Sequence, residues 1–208
     1  MEIYLIMSKR IYLLDAGHGG IDPQGNYVTA PKKMYEHPDG TIIYEGKFNR
    51  EVRDELLNLI IDDGSMEWFI INHGYKDMSL GERVRYANKL QKIHGRCVYV
   101  SIHGNAGRGK GFEVYTSIGE TESDLIADVW IDEMSKIFPG QVDRGEKDRD
   151  FYVIKNTNCP AILTESFFMD TLKDCKLMLS EIGQNKVALA HYNMMKRVDK
   201  GEHYGQLA

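Results

Sequence analysis

An apolar strand at Leu13-Leu14-Asp15-Ala16 runs into Gly17-His18-Gly19-Gly20, and a second, Val98-Tyr99-Val100-Ser101-Ile102, runs into His103-Gly104-Asn105. Two histidines at two strand ends supply the nitrogen half of a metal site. A catalytic zinc takes three protein ligands of nitrogen or oxygen type and keeps one position open, and His/His/Glu is among the standard sets. The flanking glycines let an ion or a substrate come close to the backbone. Taken alone, a histidine at a strand end is ordinary; the pair gains weight from a third ligand.

Glu45 is chosen as that ligand because it opens a helix directly after a long loop, where the helix start orients a carboxylate and keeps it ionised. A plain acidic helix start would look the same, and Glu36 is the local competitor. Glu165 ends the apolar run Ala161-Ile162-Leu163-Thr164 and precedes Ser166-Phe167-Phe168. Partial desolvation there raises a carboxyl pKa toward working pH, which suits proton transfer. A carboxylate paired to a lysine or arginine is the alternative.

The elements that must position these groups alternate along the chain. Strands are expected at Ile11–Leu14, Trp68–Ile71, Cys97–Ile102, Phe112–Tyr115, Tyr152–Ile154 and Ala161–Leu163. Between them, Phe48, Val52, Leu56, Leu59 and Ile60 form one helical stripe ending at Gly64. A capping box at Ser79-Leu80-Gly81-Glu82 opens a second helix, with Val84, Ala87, Leu90 and Ile93 inward and Gly95 at its end. A third helix spans Ser123 to Phe138 with Ile126, Val129, Trp130, Met134 and Ile137 inward, and a last helical region covers Thr171 to Val198, broken near Gly183. This pattern predicts a single α/β domain over 1–208, core about 10–198, with a mostly parallel twisted sheet of about six strands and helices on both faces. Ligands of such sheets bind at the carboxyl ends of strands, where His18, His103 and Glu165 all fall.

The bulk numbers agree with one soluble domain: 208 residues, 42% hydrophobic, 27% charged. A net charge of -5 disfavours a nucleic-acid partner, which needs basic clusters against phosphates. Cys97, Cys159 and Cys175 are odd in number and far apart, so buried idle thiols are expected rather than a disulfide framework or thiolate zinc site. The first ten residues have their positive charges after a short apolar run, the reverse of a secretory signal, and no apolar run reaches the roughly 20 residues of a membrane span. Synthesis in the cytoplasm without a signal peptide and no membrane insertion are therefore expected, with Met7 an alternative start. His37, His73, His94, His191 and His203 have no comparable setting and are assigned surface or capping roles.

Several linked motifs then converge: Asp15-Ala16-Gly17-His18-Gly19-Gly20, Glu45 with Phe48-Asn49, Arg83 through Ala87-Asn88, Ser101-Ile102-His103-Gly104-Asn105-Ala106, and Pro160-Ala161-Ile162-Leu163-Thr164-Glu165. In this order, over roughly Ile11 to Met195, the chain resembles the zinc-dependent N-acetylmuramoyl-L-alanine amidases, cell-wall hydrolases of bacterial autolysins and phage lysins. The resemblance implies one zinc ion on His18, Glu45 and His103, with Glu165 as catalytic glutamate. The implied reaction cleaves the amide between N-acetylmuramic acid and L-alanine in peptidoglycan. Asn105, Arg144 and Arg149 are candidate substrate contacts, the arginines toward a stem-peptide carboxylate. A monomer without a separate wall-binding domain is expected, reaching the wall after phage-type release. A zinc peptidase cutting within the stem peptide and a non-catalytic wall-binding domain are the alternatives.

The departures from the family pattern leave every ligand in place. An expanded segment between His18 and Glu45, including Tyr27–Pro31 and Tyr35–Gly40, is expected to form a hairpin beside the site and to shape substrate choice. Position 104 is glycine where alanine is usual, and Glu165 is followed by Ser166-Phe167-Phe168-Met169-Asp170.

Overall fold

A computed structural model describes residues 9–29 and 33–203. The alternative start at Met7 and the Ala30-Pro31 part of the inserted segment lie outside the described residues. Among those described, six strands form one sheet in the order β4-β1-β5-β8-β6-β7: β1 (Ile11–Ala16), β4 (Glu67–Ile70), β5 (Cys97–Asn105), β6 (Phe112–Thr116), β7 (Asp143–Asp148) and β8 (Ala161–Phe168). β4, β1, β5 and β8 run parallel, whereas β6 and β7 run parallel to each other and antiparallel to β8. The mostly parallel α/β domain expected from the sequence is what forms.

Two cores hold the sheet. On one face Tyr12, Leu14, Val98, Val100, Ile102 and Ile162 pack against α1 (Glu45–Asp63), α3 (Glu122–Ile137), α5 (Leu172–Met178) and α6 (Glu181–Asp199). On the other, Ile11, Leu13, Tyr99, Ala161 and Leu163 meet α2 (Leu80–His94) and the short α4 (Tyr152–Asn156). α2 carries the expected capping box, Ser79 accepting from the Glu82 amide and Glu82 from that of Ser79. Ile93 does not turn inward as its spacing suggested; it is exposed on the outer side of the last turn.

Three other expectations are corrected. Tyr152–Ile154 is helical, because a short apolar run does not distinguish strand from helix and here Val153 and Ile154 fill the second core from one helical turn. The sixth strand is instead β7, whose sequence Asp-Arg-Gly-Glu-Lys-Asp has no apolar signal because it lies at the sheet edge. The last helical region breaks at Leu179-Ser180, and Gly183 sits inside α6, where a Cβ would fall 2.0 Å from the Leu177 carbonyl oxygen. His37, His191 and His203 are buried rather than superficial, His191 within 3.0 Å of the Thr164 hydroxyl and 2.8 Å of the Val187 carbonyl. His73 and His94 are exposed, and all three cysteines are free and buried.

The outer edge also carries an acid pair. Burial first, then the Asp124 carboxyl, pushes Glu146 on β7 up to about 7. The folded state therefore holds a proton that the unfolded chain gives up near 4.5, an advantage complete below that pH and lost as pH rises through about 7. Glu146→Gln is expected to raise the melting temperature at pH 8 and to change it little at pH 4. Equal shifts at the two pH values would contradict this.

Candidate metal centre

β1 and β5 are adjacent and in register, so their carboxyl ends bring His18 and His103 together, with ring centroids 5.0 Å apart and nearly perpendicular. Gly17 is required by this closeness, since a Cβ there would fall 2.1 Å from His103 Cε1. Glu45 enters at the first position of α1. His18 Nε2 lies 3.1 Å and His103 Nδ1 2.9 Å from the same oxygen, Glu45 Oε1. The three atoms that could ligate an ion are within 4.8 Å of one another. Two nitrogens and one carboxylate oxygen converging in this way fit a zinc ion. Glu36, the competitor, lies on β2 (Met34–Glu36) and is exposed.

Burial works against ionisation of Glu45, but hydrogen bonds from His103 and His18 and their charges outweigh it and hold the carboxyl at about 2. Burial lowers the His103 pKa, favouring the neutral ring that a metal needs. The other ring nitrogen, Nε2, is 3.2 Å from Ser101 Oγ, and that hydroxyl is 3.5 Å from Asp15 Oδ2. Such outer contacts fix tautomer and ring orientation.

The His18 turn is held by buried cations. His18 has φ 62°, uncommon for a residue with a side chain. Its carbonyl accepts from Arg50 Nη2 at 2.8 Å and Arg83 Nη2 at 3.2 Å, while Arg83 Nη1 donates to Asp15 Oδ1 at 2.5 Å and Tyr99 donates to the other Asp15 oxygen. Burial, then the charges of Arg53 and Arg83, bring Arg50 down to about 10.

The inserted segment also reaches the centre. β2 and β3 (Ile42–Tyr44) form the expected hairpin, and Lys33 at its foot places Nζ 3.8 Å from Glu45 Oε2. The N-cap residue of α1, Tyr44, makes no side-chain cap; the Tyr27 hydroxyl instead accepts from the Gly46 amide at 3.1 Å. Neither Lys33 nor Tyr27 carries a sequence signal, because both act through loop geometry.

Glu165 sits on β8 directly opposite His103. Burial raises its pKa well above the ordinary carboxylate range, and the charges of Glu45 and Glu113 add to this, with Lys33 opposing; its Oε2 has no hydrogen-bond partner. His18, His103, Lys33 and Glu165 line a cavity of about 320 Å³ whose apolar wall comprises Leu80, Phe151, Tyr152, Val153 and Leu163. Of the candidate substrate contacts, Asn105 and Arg144 both bond Glu113, at 2.7 and 2.5 Å, and Arg149 lies over the Phe151 ring. Glu113 itself was not anticipated, although its place between Phe112 and Val114 on a strand turns it away from their core.

Residues 13–197 match the family model described as N-acetylmuramoyl-L-alanine amidase. The chain is 27% identical over 187 residues to the N-acetylmuramoyl-L-alanine amidase CwlM of Bacillus licheniformis, covering 88% of this chain and 66% of that one. It is 30% identical over 195 residues to the endolysin of Bacillus phage SPP1, covering 89% and 64%. It thus spans just under two thirds of either relative. In fold it is similar to the crystal structure of N-acetylmuramoyl-L-alanine amidase from Clostridium difficile 630, with TM-score 0.76 and 24% identity over 92% of this chain and 97% of that one. The chain belongs to the N-acetylmuramoyl-L-alanine amidase family.

Proposed function

We propose that the chain hydrolyses the amide between the lactyl group of N-acetylmuramic acid and the first L-alanine of the stem peptide, with one zinc ion on His18, Glu45 and His103. The observation that carries this reading is the convergence of those side chains beside the Glu165 carboxyl in a member of this family. When bound, zinc supplies Lewis acidity toward the scissile carbonyl and toward water.

The remaining chemistry belongs to the chain's own residues. Glu165, in its apolar surround, takes the proton of the attacking water and returns it to the leaving amine, the task for which a raised pKa is suited. Lys33 draws the Glu165 carboxyl back toward ionisation, and a cation on His18, Glu45 and His103 would act in the same sense. Ser101 and Asp15 keep the His103 ring in place, and the wall of Leu80, Phe151 and Tyr152 covers uncharged parts of the substrate. The setting we infer is the bacterial wall, reached by phage-type release; kinship with a phage endolysin supports it. No helix among the described residues is long and apolar enough to cross a membrane.

The test is mass spectrometry of purified peptidoglycan digested with and without a chelator. Intact glycan strands and free stem peptides beginning at L-alanine, lost with the chelator, are expected. Fragments cut within the stem would replace this reading with that of a peptidase. Ser101→Ala is expected to weaken zinc binding by about tenfold, read by competition against a chromophoric chelator; unchanged affinity would remove Ser101 from the centre.

A further inference from the structure

The peptide side of the substrate has a second place to be held, an inference that rests on the amidase reading. β5, β8, β6 and β7 are neighbours in that order, and one row of residues crosses them: His103 is opposite Glu165, and Glu165 opposite Glu113. The ladder to β7 then slips. Phe112 pairs with Asp143 and Val114 with Glu146, so Arg144 and Gly145 together oppose Glu113. A bulge of this kind re-aims a side chain. Here it sets Arg144 Nε 2.5 Å from Glu113 Oε2, with the guanidinium 5.1 Å from the centre of the Phe168 ring.

Glu113 is built in as an anchor. Its side chain is only 3% exposed, and it accepts from Lys147 and Arg144 on one oxygen and from Asn105 and Tyr115 on the other. Burial raises its pKa, but these four donors prevail and hold it at about 2. One buried negative charge thus carries two positive ones, whose side chains remain 36% and 34% exposed for Arg144 and Lys147. The cluster has a surplus positive charge on the row that starts at His103. With Nε committed to Glu113, the Nη1–Nη2 edge of Arg144 is the edge that matches a carboxylate with two parallel bonds.

We propose that Arg144 and Lys147, mounted on Glu113, form a subsite for a free carboxylate of the stem peptide. Both cations reach back onto Glu113, whose strand is the immediate neighbour of Glu165's, about 4.8 Å away at the usual strand spacing. The carboxyl of the first stem residue is tied up in the next peptide bond, so the recognised group belongs to a later residue. Arg149 has no part in this subsite; it stacks on Phe151 beside the cavity.

The test compares two soluble muramyl peptides of equal length, one with its stem carboxylates free and one with them amidated, on the zinc-loaded protein. Cleavage is followed by chromatography, and binding of the corresponding free stem peptides by calorimetry. The free-carboxylate form is expected to be favoured by about tenfold or more, through KM in cleavage and through Kd in binding. Arg144→Met and Lys147→Met should each shrink that ratio, and the double variant should bring it near one; Arg144→Lys, keeping the charge without the fork, should restore part of it. Melting curves check that the variants are folded. Equal handling of both peptides by the wild type, or a ratio that survives the double variant, overturns the subsite. If neither muramyl peptide is cut, the amidase reading fails, while the binding ratio still decides the subsite.

Discussion

Glu165→Gln is expected to lower peptidoglycan hydrolysis by about 10²–10⁴-fold, the usual contribution of a positioned acid–base group, while zinc binding is retained. Glutamine keeps the shape of the side chain but accepts no proton, so the water is no longer deprotonated and the leaving amine not protonated. Removing the carboxyl also relieves the mutual repulsion with Glu45 and Glu113, so the variant should be at least as stable as the parent. His18→Ala is the contrasting case, with zinc and activity lost together. Measuring metal content beside turnover separates the two. A glutamine variant with parental turnover would take Glu165 out of the mechanism, and one that lost its zinc would make it a ligand instead.

Arg83→Met should cost about 3–5 kcal/mol of folding stability, the usual consequence of removing one partner from a buried ion pair. Arg83 is 2% and Asp15 1% exposed, and methionine would leave that carboxylate with only the Tyr99 and Ser101 hydroxyls. The carbonyls of Ala16, His18 and Met78 would each lose a donor as well. Urea unfolding of the metal-free protein measures the loss, and the double variant with Asp15→Asn should recover part of it. A loss under about 1 kcal/mol would mean that the pair is not the support of the His18 turn.

The centre was legible in sequence to the extent that it depends on strand ends. His18, His103 and Glu165 each follow an apolar run, and parallel pairing of β1, β5 and β8 makes those ends neighbours. Glu45 was legible because it opens α1. What escaped has a common cause, for β7 is charged at every position but Gly145 and α4 is only one turn long, so neither shows a periodicity of its own. Ser101 stands two residues before His103 on one strand, a spacing that puts both on one face, yet only the fold reveals that its hydroxyl meets the ring. Buried His191 gave no hint because the hydroxyl it meets, that of Thr164, lies on β8, while Val187 is one turn before it on α6.

Capping of α1 by the Tyr27 hydroxyl, and the nearness of Lys33 to Glu45, bear on any exchange of the inserted hairpin. A replacement loop lacking these two residues would uncap the helix that presents Glu45 and remove the cation facing the second oxygen of that carboxylate. Transplants between relatives should therefore carry both residues with the loop, or the exchange will disturb the Glu45 carboxylate as well as the surface the loop presents.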